Sequence, residues 1–283
     1  MVDSLIVGEA PFRPLCARGV LVFSLASTLV ACELAIKTND LEGGCPGHLP
    51  GPALVKVPVL AANDAGQATS ASGAYCVDST EVTNAHYKAF VDAQSLDAQA
   101  QFDRPGCAAA TSYLPDQSGW PEPGSDDLPV VQVNWCQAAQ YCSWAGKRLC
   151  GRIGGGPLLD EFTFDASVSQ WFNACSRGGV LPFPYGDTFD PAICWGPGHA
   201  WPNYVAKQRG CEGGFPGLFD MSGNVWEWTD TCGVPGGDMD FCRAFGGAFD
   251  SSPPDEFACG IQFRAWTRTA GAANIGFRCC KDL

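Results

Sequence analysis

Basic residues are scarce in this chain of 283 residues: 17 Lys plus Arg stand against 30 Asp plus Glu, for a net charge of −13. Nothing resembles the cationic stripe that a phosphate backbone requires, which excludes nucleic acid as an expected partner. Histidine is equally sparse, and His48, His86 and His199 lie far apart with no Cys-x-x-Cys pair anywhere, so zinc-ribbon and zinc-finger sites have no support. Long apolar runs are missing too. The longest, Gly19 to Val30, is too short to span a bilayer. No fixed-period repeat and no dominant low-complexity block occurs, which leaves solenoids and linker arrays out.

What the chain has in excess is cysteine, with 16, together with 34 Gly and 21 Pro. That number of thiols belongs to an oxidising compartment, and the glycines and prolines imply long loops that the cysteines staple. The apolar run Gly19 to Val30 follows Arg13 and Arg18 and is followed by Ala31 and Cys32, the pattern of an export signal. Leu29, Val30, Ala31 and Cys32 read as a lipobox, which predicts a signal over residues 1–31 and a lipid on Cys32. The expected location is therefore the cell envelope, with the membrane touched only through that anchor. Once Cys16 leaves with the signal and Cys32 is lipidated, fourteen cysteines remain, an even number that allows seven bridges.

Residues 32–73 are rich in Gly, Pro, Ala, Asn and Asp, and their composition predicts a tether pinned by Cys45, with one apolar piece from Leu54 to Leu60. A folded domain is expected over residues 74–283. Within it, Thr83 or Asn84 caps a helix carrying Tyr87, Phe90 and Val91, and a strand is expected at Val130 to Val133. Asn134 caps a second helix whose Trp135, Ala138, Ala139 and Cys142 share a face, ending at Gly146. A third helix repeats the stripe with Val168, Trp171, Phe172 and Cys175 and stops at Gly178. Near the C-terminus Ile275, Phe277 and Cys279 alternate with Gly276, Arg278 and Cys280, as in a half-buried strand. Neighbouring cysteines on opposite faces should have separate partners.

Six strings occur in order: Tyr75-Cys-Val-Asp-Ser-Thr-Glu-Val-Thr-Asn, Pro129-Val-Val-Gln-Val-Asn-Trp, Tyr141-Cys-Ser-Trp-Ala-Gly-Lys-Arg-Leu, Gly217-Leu-Phe-Asp-Met-Ser-Gly-Asn-Val-Trp-Glu-Trp, Gly246-Gly and Asn274-Ile-Gly-Phe-Arg-Cys. Together they resemble the formylglycine-generating, sulfatase-modifying enzyme family. The resemblance implies that family's α+β fold, a loop-rich relative of the C-type lectin fold with little regular structure. It implies a disulfide between Cys142 and Cys279, two positions that the periodicity already turns toward the core. It also implies a structural calcium held by the Asp220 and Glu227 side chains and the Gly223 and Val225 carbonyls, hard oxygen donors of the kind calcium takes.

The departures from the family bear most on function. Its catalytic members bind Cu(I) through two cysteine thiolates that follow a Gly-Gly-Ser, soft ligands suited to that ion. Here Gly246-Gly247-Ala248-Phe249-Asp250 leads to Ser251 at the first thiolate position, and Cys259 is the only candidate for the second, displaced by an insertion around Pro253 and Pro254. Cys175 matches a bridged cysteine of the family, but the partner position, near Ala265, lacks one. Cys259 is therefore contested between a bridge to Cys175 and a metal. Copper binding is not expected. The sequence points to a non-catalytic binding or structural module that offers aromatic loops, through Trp195, Trp201, Tyr204 and Trp266, to a protein or glycan ligand in the envelope. The alternative is a copper-dependent oxidase, with Cys259 and Ser251 at the thiolate positions, that converts a cysteine of an exported sulfatase-type substrate to formylglycine. Other constellations take plainer readings: Asp126 and Asp127 as a solvated loop, and Gly154 to Pro157 as a turn without the Lys of a phosphate loop.

Overall fold

The computed structural model describes residues 44–63, 65–94, 101–102, 104–234, 240–260 and 264–283. The export signal expected over residues 1–31 and the expected lipid site at Cys32 lie outside the described residues.

Two four-stranded sheets organise what is described. The first has the order β1-β2-β8-β3, formed by Leu54–Ala62 (β1), Ala68–Asp78 (β2), Cys279–Asp282 (β8) and Arg148–Leu149 (β3). The second has the order β6-β5-β4-β7, formed by Arg264–Thr267 (β6), Phe241–Phe245 (β5), Trp226–Cys232 (β4) and Ile275–Phe277 (β7). A single residue, Arg278, separates β7 in one sheet from β8 in the other. Its side chain is fully buried at that joint.

Among the described residues three α-helices pack against the sheets: Asn84–Asp92 (α1), Trp135–Trp144 (α2) and Gln170–Ser176 (α3). Their starts follow from their caps. The Thr83 hydroxyl accepts from the His86 N–H while the His86 ring returns a bond to the Thr83 N–H, and Asn134 with Gln137 makes the same reciprocal pair. Ser169 caps α3, which begins after Val168, so the apolar face of that helix is Trp171, Ala174 and Cys175, with Phe172 only half buried. Arg177 takes the left-handed conformation at its end (φ 52°), ahead of Gly178. Gly178 is required by its neighbour: a Cβ there would meet Leu60 of β1 at 2.5 Å.

Two expectations are corrected. Residues 54–73 belong to the domain rather than to a tether, because β1 and β2 pair antiparallel and Val57 and Val59 are buried. Pro58 lies in β1 without breaking the sheet because β1 is the edge strand and a register shift follows it. Cys45 is bridged to Cys76 in β2, so the preceding segment is stapled to the same sheet. The stretch Val130 to Val133 is not a strand. The only bridge there joins Pro129 to Thr83, and Gln132 adopts φ 57°, which ends any ladder. The C-terminal segment, expected as one half-buried strand, divides at Arg278 into β7 and β8 of different sheets, and with both faces covered Ile275 to Cys280 are all buried.

Seven disulfides close the domain: Cys45–Cys76, Cys107–Cys136, Cys142–Cys279, Cys150–Cys280, Cys175–Cys259, Cys194–Cys211 and Cys232–Cys242. Cys279 and Cys280 do have separate partners, one on α2 and one just after β3. The larger core gathers Tyr87, Phe90, Trp135, Tyr141, Trp226, Trp228 and Phe277 around the Cys142–Cys279 bridge. A second core places Val57, Tyr75, Trp171, Leu218 and Met221 around Cys175–Cys259.

Candidate functional site

The loop that leads into β4 concentrates the chain's buried charge. Glu227, in β4, is buried, and both of its oxygens accept from the Arg278 guanidinium at 2.6 to 2.8 Å. Its Oε2 also accepts the Trp171 indole N–H at 2.8 Å. The rest of the guanidinium donates to the Asp78 carbonyl at 3.0 Å and the Phe219 carbonyl at 2.7 Å. One arginine thus ties β4, the end of β2 and the loop before β4 to the joint between the sheets, with bidentate geometry that a lysine could not provide.

Beside this pair, Asp220 adopts φ 59° and is buried, and its Oδ2 accepts the Ala206 N–H at 2.6 Å. Burial pushes its carboxyl up to about 6, against the pull of the Ala206 N–H and the Arg278 charge. Gly223 (φ 81°) packs so tightly that a Cβ would lie 2.4 Å from the Trp195 carbonyl. The Asn224 amide donates to Glu81 Oε1 at 2.9 Å and accepts the Asn203 N–H at 2.8 Å.

Glu81 is the residue that sequence reasoning did not single out, although it stands within the first of the six strings. It is wholly buried, and its Oε2 has no hydrogen-bond partner. Burial raises its carboxyl well above the ordinary range, and the nearby Asp220 and Glu227 raise it further. Three buried carboxyl groups therefore lie near one guanidinium that bonds only Glu227, and Glu81 Oε2 is left without a partner. That is an arrangement a divalent cation would complete, since an unpaired buried acceptor is costly. Of the four donors expected from sequence, Glu227 is filled by Arg278 and Trp171, whereas Asp220 lies in the loop as expected. The Gly223 and Val225 carbonyls accept no hydrogen bond from described residues outside the strand ladders. No three His, Cys, Asp or Glu side chains converge as a metal group among the described residues, so any cation here would depend on those backbone carbonyls.

The glycine-pair loop has a different character. Gly247 (φ 76°) admits no side chain, since a Cβ would lie 2.6 Å from the Glu256 carbonyl. Ser251 is buried, and its hydroxyl accepts the Ala248 N–H at 2.9 Å, closing the loop on itself. Cys259 is bridged to Cys175 on the core face of α3. The two positions held as copper-ligand candidates thus present a hydroxyl engaged with backbone and a disulfide sulfur. Neither is a thiolate.

The four aromatic residues do not share one environment. Trp201 is 76% exposed and Tyr204 45% exposed. Trp195 stacks on His199 with ring centroids 3.4 Å apart, and Trp266 is half buried, T-shaped against Trp228 of the core with ring centroids 5.7 Å apart.

Residues 50–283 match the model of the sulfatase-modifying factor enzyme 1-like domain. Among curated proteins, the chain is 27% identical to the inactive C-alpha-formylglycine-generating enzyme 2 of Mus musculus, covering 84% of this chain and 90% of that protein. It is 26% identical to the formylglycine-generating enzyme of Bos taurus, over 86% of this chain and 79% of that one. Among solved structures, it superposes on PvdO from Pseudomonas aeruginosa (TM-score 0.53, 18% identity, 85% of this chain and all of that one). It likewise superposes on CarF (TM-score 0.55, 18% identity, 82% of this chain and 98% of that one). These two likenesses show the shared fold.

Proposed function

This chain belongs to the sulfatase-modifying factor enzyme 1-like family, and we propose that within it the chain acts as a binding or structural module of the cell envelope, without the copper oxidase chemistry. The Cys175–Cys259 bridge carries this reading. A two-coordinate Cu(I) site needs two soft thiolates. At the first position this chain has the Ser251 hydroxyl, and at the second its sulfur is already oxidised to a disulfide. All fourteen cysteines from Cys45 onward are paired, which leaves no thiol among the described residues for a metal or for redox exchange with a substrate cysteine. The full set of bridges also suits an exported protein, in keeping with the lipid expected on Cys32.

Calcium is the structural ion of this reading. Glu81 and Asp220 would hold it with the Gly223 and Val225 carbonyls, and Glu227 would remain on Arg278. The unpartnered Glu81 Oε2 is the supporting observation. The ion would neutralise buried charge and do no chemistry.

An anaerobic Cu(I) titration against a chromophoric competitor, paired with a non-reducing peptide map of the mature protein, tests the reading. The expected result is seven complete bridges and no stoichiometric copper. Tight one-to-one binding that Cys259→Ser abolishes would instead overturn the reading and favour the copper-dependent alternative.

A further inference from the structure

A cleft of about 450 Å³ has apolar walls that include Trp120, Leu128, Val131 and Trp201, with Gln117 and Glu122 among its polar residues. We propose that this cleft is a binding site for a neutral oligosaccharide; the proposal rests on the reading of the chain as a binding module and supplies the chemistry of its ligand.

Both tryptophans of the cleft are anchored by hydrogen bonds. Trp201 leaves 76% of its surface in water, an unusual position for the largest apolar side chain unless something covers it. Its backbone is nonetheless fixed, because its carbonyl accepts the Trp195 indole N–H at 2.9 Å and the nearby Asn203 N–H is held by Asn224 at 2.8 Å. Trp120 is held from behind. Its indole N–H donates to Asn84 Oδ1 at 2.7 Å, and the Asn84 amide donates in turn to the Ser125 carbonyl at 2.9 Å. The Trp120 ring also stands edge-on to the core residue Tyr87 at 5.7 Å. A rigid indole costs little entropy on binding and presents a π face to the C–H face of a pyranose ring.

The polar groups fit hydroxyls better than ions. The Gln117 side chain makes no hydrogen bond to described residues, and an amide both donates and accepts, as a sugar hydroxyl does. Glu122 can accept from hydroxyl donors. No lysine or arginine lines the cleft, and the chain carries a net charge of −13, so phosphorylated, sulfated or carboxylated ligands meet repulsion. Gln117 also borders a second cavity of about 570 Å³, whose lining includes Asp116, Gln132, Asn134 and Thr269 and again no cationic residue. Gln117 is thus common to the lining of both cavities.

The test titrates the intact, disulfide-bonded protein with neutral hexasaccharides of glucose, mannose and N-acetylglucosamine, followed by tryptophan fluorescence and calorimetry, beside a tetralysine peptide and a uronic acid oligomer. At least one neutral sugar should bind. Trp201→Ala should weaken it by about tenfold or more, which is about 1.4 kcal/mol. Trp201→Phe should keep most of the affinity, and Gln117→Ala should weaken it less than Trp201→Ala does. Because Trp201 is exposed, the thermal midpoint of its variants should not move. Absence of binding to every neutral sugar at about 10 mM, a range weaker than any useful affinity, would overturn the proposal. So would binding indifferent to Trp201→Ala, or a Trp201-dependent preference for the peptide or the uronic acid oligomer. Failure here with a negative Cu(I) titration removes only the ligand class, whereas a positive Cu(I) titration removes the module reading itself.

Discussion

Two loops that the sequence marks as functional differ in what the structure makes of them. The loop from Gly246 to Cys259 keeps its glycines but not its reactive groups: Ser251 caps the backbone and Cys259 joins α3. The loop from Asp220 into β4 keeps its charged groups and draws in Glu81 and Arg278 from distant parts of the chain. Arg278 holds three segments and a carboxylate at the joint of both sheets, so its loss is a structural event.

The largest effect should come from breaking that joint. Arg278→Met leaves Glu227 buried without its cation, beside Asp220 and Glu81, and should cost about 3–5 kcal/mol. Ser251→Ala removes one hydrogen bond in the other loop and should cost about 1 kcal/mol. Urea denaturation of the two variants checks the ranking, and equal losses would erase the contrast between the loops.

The parts of this contrast that were legible in the sequence are the local ones. Thr83 and Asn134 announce their helices because a cap acts over three residues, and Cys142 and Cys279 are turned to the core by their spacing, while their pairing was legible only through the family resemblance. The separate partners of Cys279 and Cys280 follow from strand alternation alone. What stayed hidden depends on contacts across the chain. The Gly, Pro, Ala, Asn and Asp of residues 32–73 suggest a tether by composition, and only the pairing of β1 with β2 shows that Leu54–Ala62 belongs to the sheet, at an edge position that accepts Pro58. Glu81 carries no periodic signal, and its importance arises from an approach to Asp220 and Asn224 more than a hundred residues away. The bridge from Cys175 to Cys259 was one of two open readings until the fold brought α3 to that loop.

A middle-sized effect sharpens the contrast from the calcium side. Chelation with EDTA should lower the thermal midpoint, because an ion that binds only the folded state at about a hundred times its dissociation constant contributes about 2.7 kcal/mol. Asp220→Ala should abolish the response to added calcium, while Ser251→Ala should leave it intact. If EDTA moves neither the wild-type midpoint nor that of Ser251→Ala, and Asp220→Ala is itself neutral, the acidic loop holds no ion.

The smallest effect lies outside both loops and gives the baseline against which they are measured. Asp282, at the end of β8, accepts from Arg148 at 2.7 and 2.8 Å and from Gln170 at 3.0 Å. Partial burial would raise its carboxyl, but these bonds and the Arg148 charge hold it below its ordinary 3.8. Its contribution is therefore complete above that value and is lost as pH falls through the lower folded value. Asp78 behaves in the opposite sense. Burial lifts it from 3.8 to about 6 in spite of its ion pair with Lys147, so its folded form takes up a proton first and stability falls as pH rises across that interval. Asp282→Asn should cost no more than about 1 kcal/mol at neutral pH, as a partly exposed ion pair does. It should flatten the stability profile only below the ordinary carboxylate range and leave the slope due to Asp78 in place. Denaturation curves across the acid range check this, and a change of slope confined to the Asp78 interval would show that the two ends of the first sheet titrate as one unit.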